Sequence, residues 1–264
     1  MFIIKIYFYI NKLYKMVKPI LISVEGNIGA GKSTIIDHLK DHMKGNTDIM
    51  FLKEPVDIWE TIKDTKTDEN ILQKFYNDSN KYAFSFQVMA YVTRLSTIRT
   101  AIRENPDCKV IICERSLDAD KNIFAKMLYE DNKIEDINYQ IYLHFYNEYV
   151  KDYKLDGIVY INADADVCYQ RTVKRSRNGE SSITQEYLQK CKDYYDEWLF
   201  TNNKDTDILN IDANEDVTYN MFDKEDKGLE WLQRIERYIL NCSEHKNVDK
   251  PKNTFIDILE NLIT

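Results

Sequence analysis

The strongest constraint on how this chain folds is a glycine-rich stretch, GNIGAGKST, at residues 26–34. A short apolar run rich in β-branched residues precedes it at 20–25, and apolar residues with helical spacing follow it as far as Gly45. A glycine turn between a strand and a helix lets backbone N–H groups and the positive end of the helix converge on phosphate oxygens. The stretch therefore predicts a phosphate-binding loop that takes a nucleoside triphosphate.

Two side chains of this loop have specific chemistry. Lys32 is predicted to neutralise the β- and γ-phosphates, and the Ser33 hydroxyl to bind Mg²⁺. ATPases, GTPases and kinases share such a loop, so it predicts ATP and Mg²⁺ but not the reaction. The guanine-reading pattern N-K-x-D and the switch pattern D-x-x-G are absent from the sequence, which weakens the GTPase interpretation. The candidate nucleotide-binding residues of the loop are Gly26, Asn27, Ile28, Gly29, Ala30, Gly31, Lys32, Ser33 and Thr34.

In the rest of the chain, short apolar runs typical of buried strands alternate with stretches whose apolar residues have helical spacing. This alternation predicts an α/β fold, a P-loop NTPase-like, doubly wound five-stranded parallel sheet with helices on both faces and a small arginine-rich lid. Long helices are expected at 80–103, with Val92 on its apolar side, and at 135–153; another is expected at 229–241. The predicted strands lie at 20–25, 49–52, 109–113, 157–161 and 207–211.

A chain of 264 residues can form one such domain. Met16 stands just before the run VKPILISVEG, which contains the first predicted strand, so we expect residues 1–15 to be a leader or extension and the folded domain to span 16–241. Residues 242–264 are predicted to form a polar linker and a short amphipathic tail.

Charge and cysteine usage limit the partners. The formal net charge is −8, whereas nucleic acid and anionic membranes need a broad basic surface, so neither is an expected partner. The five cysteines lack metal-ligand spacing, which indicates free thiols in a reducing compartment. The apolar opening, residues 1–10, is interrupted by Lys5 and is about half as long as a membrane span. We expect a cytoplasmic protein, with organellar targeting by residues 1–15 left open.

Charged residues follow two of the predicted strands. Glu54 follows the second strand, and Glu114 with Arg115 follows the third. In parallel sheets ligands bind beyond the carboxyl ends of the strands. There one carboxylate can take a proton from an attacking hydroxyl, a second can hold Mg²⁺, and a guanidinium can stabilise developing charge. A surface ion pair is the alternative interpretation of either motif alone.

Several motifs occur along the chain in the following order: GNIGAGKST, EPVDIW, FSFQ, ERS followed by IFA, RTVKRSRNGE and IDANEDV. In this order, from about Ile20 to about Val217, the sequence resembles the deoxynucleoside kinases, the family of deoxycytidine, deoxyguanosine and mitochondrial thymidine kinases. The chain departs from that family after ERS, where Asp118 replaces the usual Tyr and Lys121-Asn122 the usual Arg-Tyr.

The resemblance implies roles for the matching residues. Glu54 would be the general base for a 5′-hydroxyl, Arg115 would pair with it, and Glu114 with Ser33 would hold Mg²⁺. Tyr76 and Glu180 would contact the sugar 3′-hydroxyl. The candidate acceptor-binding residues are Glu54, Trp59, Tyr76, Phe86, Gln87, Arg94, Arg115, Asp120, Phe124 and Glu180. Candidate donor-binding residues outside the loop are Arg171, Arg175, Arg177, Glu215 and Asp216, the last two in the loop beside adenine.

The residues of the base pocket support this interpretation independently. Gln87 and Arg94 are seven residues apart, hence on one helix face, with the small Ala90 between them. A Gln amide presents a donor and an acceptor to a base edge, and Arg94 with Asp120 can hold the far edge. The alternative is a solvated helix face. In the resembled family this Arg and Asp mark deoxycytidine or deoxypurine users, so thymidine is expected to be the poorer acceptor.

The predicted lid covers residues 171–182. Arg171 and Arg175 are an i, i+4 pair that projects to one side of a helix, and Arg177 follows. A solvated basic face is the alternative. An acidic protein nevertheless needs local cations to hold ATP, which favours the lid.

The predicted helix at 135–153 is apolar or aromatic over most of its circumference. Ile137, Ile141, Phe145 and Tyr149 recur at four-residue steps, and other tyrosines lie off that stripe. Such a helix is covered on more than one side, either by a second copy in a homodimer or inside the monomer.

The preferred interpretation is an ATP-dependent deoxynucleoside kinase. A nucleoside monophosphate kinase of the thymidylate kinase type is the second, although it needs extra cations for an acceptor phosphate. A catalytically silent nucleotide-binding protein is the third, and the presence of Lys32, Glu54, Glu114 and Arg115 together argues against it.

Overall fold

The computed structural model of the protein describes residues 18–175, 180–203 and 205–248. Within them, a five-stranded parallel sheet has the order β2-β3-β1-β4-β5. The predicted parallel α/β fold is confirmed, and each predicted strand lies within about one residue of its observed bounds. The strands are β1 (Ile20–Gly26), β2 (Ile49–Leu52), β3 (Val110–Glu114), β4 (Gly157–Asn162) and β5 (Ile208–Asp212).

The helices connect these strands. Side-chain caps begin several of them; Asn70 and Gln73, for example, form a reciprocal capping box at the start of α3. The α-helices are α1 (Lys32–His42), α2 (Val56–Thr61), α3 (Ile71–Asn77), α4 (Ser79–Glu104), α5 (Leu117–Ala119), α6 (Lys126–Glu130), α7 (Asp136–Tyr149), α8 (Ala165–Arg175), α9 (Gln185–Asp196) and α10 (Lys227–Val248). π-helical segments cover Asp120–Ala125 and Glu197–Asn202, and 3₁₀ turns cover Val150–Asp152 and Glu180–Ser182.

Alternate residues of the strands face opposite helix layers. In β1, Ile22 packs into a core with α1 and α10, whereas Leu21 packs into a core with α4. Burial on both faces of β1, β3 and β4 explains why these strands are largely apolar along their length. The phosphate loop leaves the central strand β1, so the elements around the candidate site are held by the sheet.

Two helix predictions differ from the structure. Val92 was expected on the apolar side of α4 but is half exposed, because the stretch 86–94 of this helix turns Phe86, Gln87, Ala90 and Arg94 inward instead. The last helix continues to Val248, into the stretch predicted as a linker. Residues 1–15, the predicted leader, and the predicted tail beyond Val248 lie outside the described residues.

Candidate active site

The candidate site is a cavity of about 670 Å³ at the carboxyl end of the sheet. It brings together most of the residues predicted from the sequence. Three predicted residues are not among those that line it: Gly26, Asn27 and Arg177, the last of which lies outside the described residues. Those that line it are Ile28, Gly29, Ala30, Gly31, Lys32, Ser33, Thr34, Glu54, Trp59, Tyr76, Phe86, Gln87, Arg94, Glu114, Arg115, Asp120, Phe124, Arg171, Arg175, Glu180, Glu215 and Asp216.

The glycine loop curls between β1 and α1. Gly29 has φ +83°, and a Cβ there would lie 2.4 Å from the Cys168 carbonyl oxygen, so only glycine fits. At Gly31, with φ +100°, an added Cβ would meet no described atom within 4 Å, which leaves open space at the start of α1. Asn27 is structural in this loop, since its side-chain amide donates to the Leu188 carbonyl oxygen of α9 at 2.8 Å.

Lys32 lies inside the loop. Its Nζ donates to the carbonyl oxygen of Asn27 at 2.8 Å, and the side chain is buried. Burial, assisted by the charge of Arg115, lowers the pKa of Lys32 to about 8 against the opposing effect of Glu114. Lys32 thus lies where an incoming polyphosphate would restore favourable pairing.

Ser33 and Glu114 are together as predicted. The Ser33 hydroxyl donates to Glu114 Oε1 at 2.6 Å, which joins the first turn of α1 to the end of β3. A hydroxyl and a carboxylate are hard oxygen ligands, and Mg²⁺ commonly takes only one or two protein ligands beside phosphates and water. This donor set fits Mg²⁺.

Glu54 lies between two guanidinium groups. Its Oε1 is 3.1 Å from Arg94 Nη2 and 3.1 Å from Arg115 Nε. Burial alone would raise the pKa of Glu54, but Arg115, Arg94 and Lys32 outweigh it and hold the pKa below the ordinary value. Glu54 is therefore ionised at neutral pH, and it lies near enough to Lys32 to interact with it electrostatically.

Arg115 has an unusual backbone conformation. Its φ is +63°, in the left-handed region that non-glycine residues rarely adopt. The surrounding contacts hold it there, since Nη1 donates to the Gly26 carbonyl oxygen at 3.1 Å and to the Tyr195 hydroxyl at 2.6 Å. The guanidinium also lies over the ring of Phe124, 4.7 Å from its centroid.

Aromatic rings and one amide form the part of the cavity next to α4. The Phe86 ring stacks on Phe75 at 4.6 Å and meets Trp59 edge-on at 5.4 Å. Within the described part of the chain, the buried Oε1 of Gln87 has no hydrogen-bond partner. A buried acceptor without a partner in a cavity indicates a ligand or water that donates to it.

The predicted Arg94–Asp120 pair is present, and Arg94 does more than the sequence suggested. Its Nε donates to Asp120 Oδ2 at 2.9 Å, while Nη1 donates to the Glu114 carbonyl oxygen at 2.7 Å. Arg94 therefore links Asp120 to Glu54 within the cavity. Asp120 begins a π-helical segment that also carries Phe124, and such segments are frequent at functional sites. Asp118, where the sequence departs from the family pattern, accepts from the Tyr146 hydroxyl of α7 at 2.5 Å.

Arg171 and Arg175, the two described arginines of the predicted lid, are both paired. Arg175 Nη2 donates to both carboxylate oxygens of Glu180, at 2.7 and 2.6 Å. Arg171 donates to Asp216 and to the carbonyl oxygens of Ala213 and Glu215, so it fixes the loop after β5. Arg177, the third predicted lid arginine, lies outside the described residues.

Sequence reasoning missed several residues of this region. Tyr187, Tyr219 and Trp231 line the cavity, and no motif points to them because they come from distant elements. Glu25 and Tyr195 are buried beside Arg115. A signal for Glu25 exists, since it is a carboxylate inside the apolar run before the glycine loop.

Comparison with known proteins decides the family. The family model for deoxynucleoside kinases matches residues 22–236. The chain belongs to the deoxynucleoside kinase family. It is 37% identical over 189 residues to the probable deoxycytidine kinase of Fowlpox virus, covering 69% of this chain and 73% of that protein.

Two further relatives give the same family. The deoxycytidine kinase of Bos taurus is 32% identical over 235 residues, covering 79% of this chain and 88% of that protein. The mitochondrial deoxyguanosine kinase of Xenopus laevis is 30% identical over 224 residues, covering 75% and 83%. This deoxynucleoside kinase is a phosphotransferase, and the monophosphate kinase alternative is not favoured. Among the described residues, no helix combines the length and apolarity of a membrane crossing.

Proposed function

We propose that this deoxynucleoside kinase transfers the γ-phosphoryl group of ATP to the 5′-hydroxyl of a deoxynucleoside, giving the 5′-monophosphate and ADP. The observation that carries the proposal is the position of Glu54. It is an ionised carboxylate between Arg94 and Arg115, electrostatically coupled to the loop lysine, in the same cavity as the phosphate loop.

Glu54 accepts the proton of the 5′-hydroxyl as the O5′–Pγ bond forms and the bond from Pγ to the β–γ bridging oxygen breaks. Arg115 orients Glu54 and stabilises charge on the transferring group, and Lys32 pairs with the β- and γ-phosphates. Ser33 and Glu114 would hold Mg²⁺. When bound there, the ion neutralises charge between the β- and γ-phosphates.

The acceptor base lies against Trp59, Phe86 and Phe124 in this proposal. The Gln87 amide binds the base edge, which satisfies its unpaired carbonyl oxygen, and Arg94 with Asp120 holds the far edge. Tyr76 and Glu180, which lie close enough to interact electrostatically, contact the 3′-hydroxyl. Charged groups at the far edge crowd a thymine methyl, so deoxycytidine or a deoxypurine is preferred over thymidine.

The donor nucleotide extends from the phosphate loop towards Glu215 and Asp216. Arg171 holds this loop through Asp216, and Arg175 is available to the phosphates once it leaves Glu180. Arg177 completes the lid in this proposal. The buried free cysteines among the described residues are compatible with a reducing compartment, and we propose the cytoplasm.

A panel of acceptors with labelled ATP and Mg²⁺ tests this function. The expected result is 5′-monophosphate from deoxycytidine, deoxyadenosine or deoxyguanosine, with kcat/KM for thymidine below at least one of the three and thymidylate inert. A kcat/KM for thymidine above all three would reject the pocket assignment. Phosphorylation of thymidylate alone would reject the proposed acceptor class.

We also propose that the enzyme is a homodimer formed through α7. The four residues predicted as its apolar stripe are exposed, whereas Tyr142 and Tyr146, off that stripe, are buried within the monomer. Phe145 and Tyr149 border a groove against Val92 of α4. The exposed stripe of α7, which forms a ridge, and this groove therefore lie on one face of the protein. A two-fold axis can place the ridge of one copy in the groove of the other, and an apolar face of this kind marks a protein interface.

A further inference from the structure

Glu25 is a buried carboxylate that the proposed chemistry does not use. It is the penultimate residue of β1, and its side chain is inaccessible to solvent. Oε1 accepts from the Ser116 hydroxyl at 2.6 Å, and Oε2 accepts from the Tyr195 hydroxyl at 3.3 Å. Burial raises the pKa of Glu25, against the effects of Ser116 and Arg115. Burying an acidic side chain inside a central strand costs free energy of folding. The hydroxyls that bond Glu25 therefore suggest that it has a role in the site.

The Tyr195 hydroxyl joins Glu25 to Arg115. It accepts from Arg115 Nη1 at 2.6 Å and donates to Glu25 Oε2. Burial raises the pKa of Tyr195 well above its ordinary value, so the hydroxyl keeps its proton. A guanidinium can only donate, so the Tyr195 hydroxyl accepts from Arg115 and has its own proton to donate to Glu25.

The Ser116 hydroxyl provides a second connection to the same turn. Ser116 follows Arg115 directly, and besides donating to Glu25 it accepts from the Ala119 backbone N–H at 3.0 Å. Arg115 has its backbone in the left-handed region, a conformation that persists only where neighbouring contacts impose it. Glu25 therefore anchors both the side chain of Arg115 and the residue after it.

We propose that Glu25 is a positioning residue for Arg115, acting through the hydroxyls of Tyr195 and Ser116. The inference rests on the proposed function, because Arg115 matters through Glu54 and the transferring phosphoryl group. The Nε of Arg115 reaches Glu54 while Nη1 is held by Tyr195 and the Gly26 carbonyl oxygen. Loss of the Tyr195 contact frees one side of the guanidinium and misaligns the other.

The direct test compares two tyrosine variants. Tyr195→Phe removes the connecting hydroxyl. Tyr160→Phe is the control: its ring is equally buried and stacks on Tyr195 at 5.6 Å, but its hydroxyl donates to Asp196 instead. We expect Tyr195→Phe to lower kcat about tenfold or more, because the contact holds Arg115 in its position at the reacting groups. The KM for ATP should stay within about twofold of the wild-type value. Tyr160→Phe should keep the wild-type kcat.

A double-mutant cycle shows whether Glu25 acts through this path. Glu25→Gln preserves size but replaces one acceptor oxygen by a donor, so it cannot accept from both hydroxyls. The fold-loss of kcat in the double variant Glu25→Gln/Tyr195→Phe should be smaller than the product of the two single losses, because both substitutions break the same connection to Arg115.

The possible outcomes separate the two proposals. An active wild type whose kcat is unchanged by Tyr195→Phe overturns the inference alone, as do multiplicative losses in the cycle. An equal loss in Tyr160→Phe also overturns it, because general packing would then explain the effect. A wild type without deoxynucleoside-dependent ADP release overturns the proposed function and this inference with it. If Glu25→Gln does not fold, the pair of tyrosine variants still decides.

Discussion

Individual side chains in this cavity depend on one another for their charge. Glu54, Arg94 and Asp120 form a chain of ion pairs that are largely buried, and Arg115 continues it. Removal of one partner from such a chain leaves another charge buried without compensation, which costs several kcal/mol.

Lys32 gives a prediction about pH. Its pKa is about 8 in the free protein, and polyphosphate binding favours the charged form, so ATP binding takes up a proton when Lys32 starts neutral. The affinity for ATP should therefore be nearly constant below pH 7 and about tenfold weaker at pH 9 than at pH 7. Calorimetric titration in buffers of different ionisation enthalpy measures both the affinity and the proton uptake. A constant affinity from pH 7 to 9 would contradict the role of Lys32.

Gln87 gives a prediction about the acceptor. Gln87→Leu removes the amide that we propose binds the base edge, and it should raise the KM for deoxycytidine or the preferred deoxypurine about tenfold, with a smaller effect on the KM for ATP. Gln189→Leu is the matched control, because Gln189 is exposed on α9 and bonds only Asp193 in the described structure. An unchanged acceptor KM in Gln87→Leu would mean that the base lies elsewhere.

Helices and strands in this protein divide between support and recognition. Helix α4 does both, since its middle part presents Gln87 and Arg94 to the cavity while Ala101, near its C-terminal end, packs against β1 and β3. Helix α7 is divided around its circumference, with Tyr142 and Tyr146 inward and the four-residue stripe outward. Tyr146 also bonds Asp118, two residues before Asp120, so α7 supports the segment that carries Asp120 and Phe124.

The exposed stripe of α7 predicts the oligomeric state. Phe145→Glu places a charge in the proposed dimer interface and should convert the dimer to a monomer in sedimentation velocity experiments, because a buried unpaired charge is costly. Phe222→Glu is the control, since Phe222 is 99% exposed in the segment between β5 and α10. A wild-type monomer at micromolar concentration, or a dimer that persists in Phe145→Glu, would contradict this interface.

Across the complete fold, the sequence predicted what depends on local patterns and on motifs. Apolar runs located the five strands, and the glycine loop, EPVDIW and ERS located residues that meet in one cavity. It did not predict that Val92 points outward, because a functional face with Gln87 and Arg94 replaces part of the apolar stripe that periodicity assumes. Nor did it predict Tyr195 beside Arg115, since 80 residues separate them and only the tertiary fold brings them together.

If Glu54 is the base that faces the phosphate loop, its removal must stop phosphoryl transfer without weakening ATP binding. Glu54→Ala should lower kcat at least about 100-fold while the Kd for ATP stays within about threefold of wild type. Glu60→Ala, which removes an exposed glutamate from the neighbouring helix α2, should behave as wild type. A folded Glu54→Ala variant that keeps more than about a tenth of the wild-type kcat would mean that Glu54 is not the base.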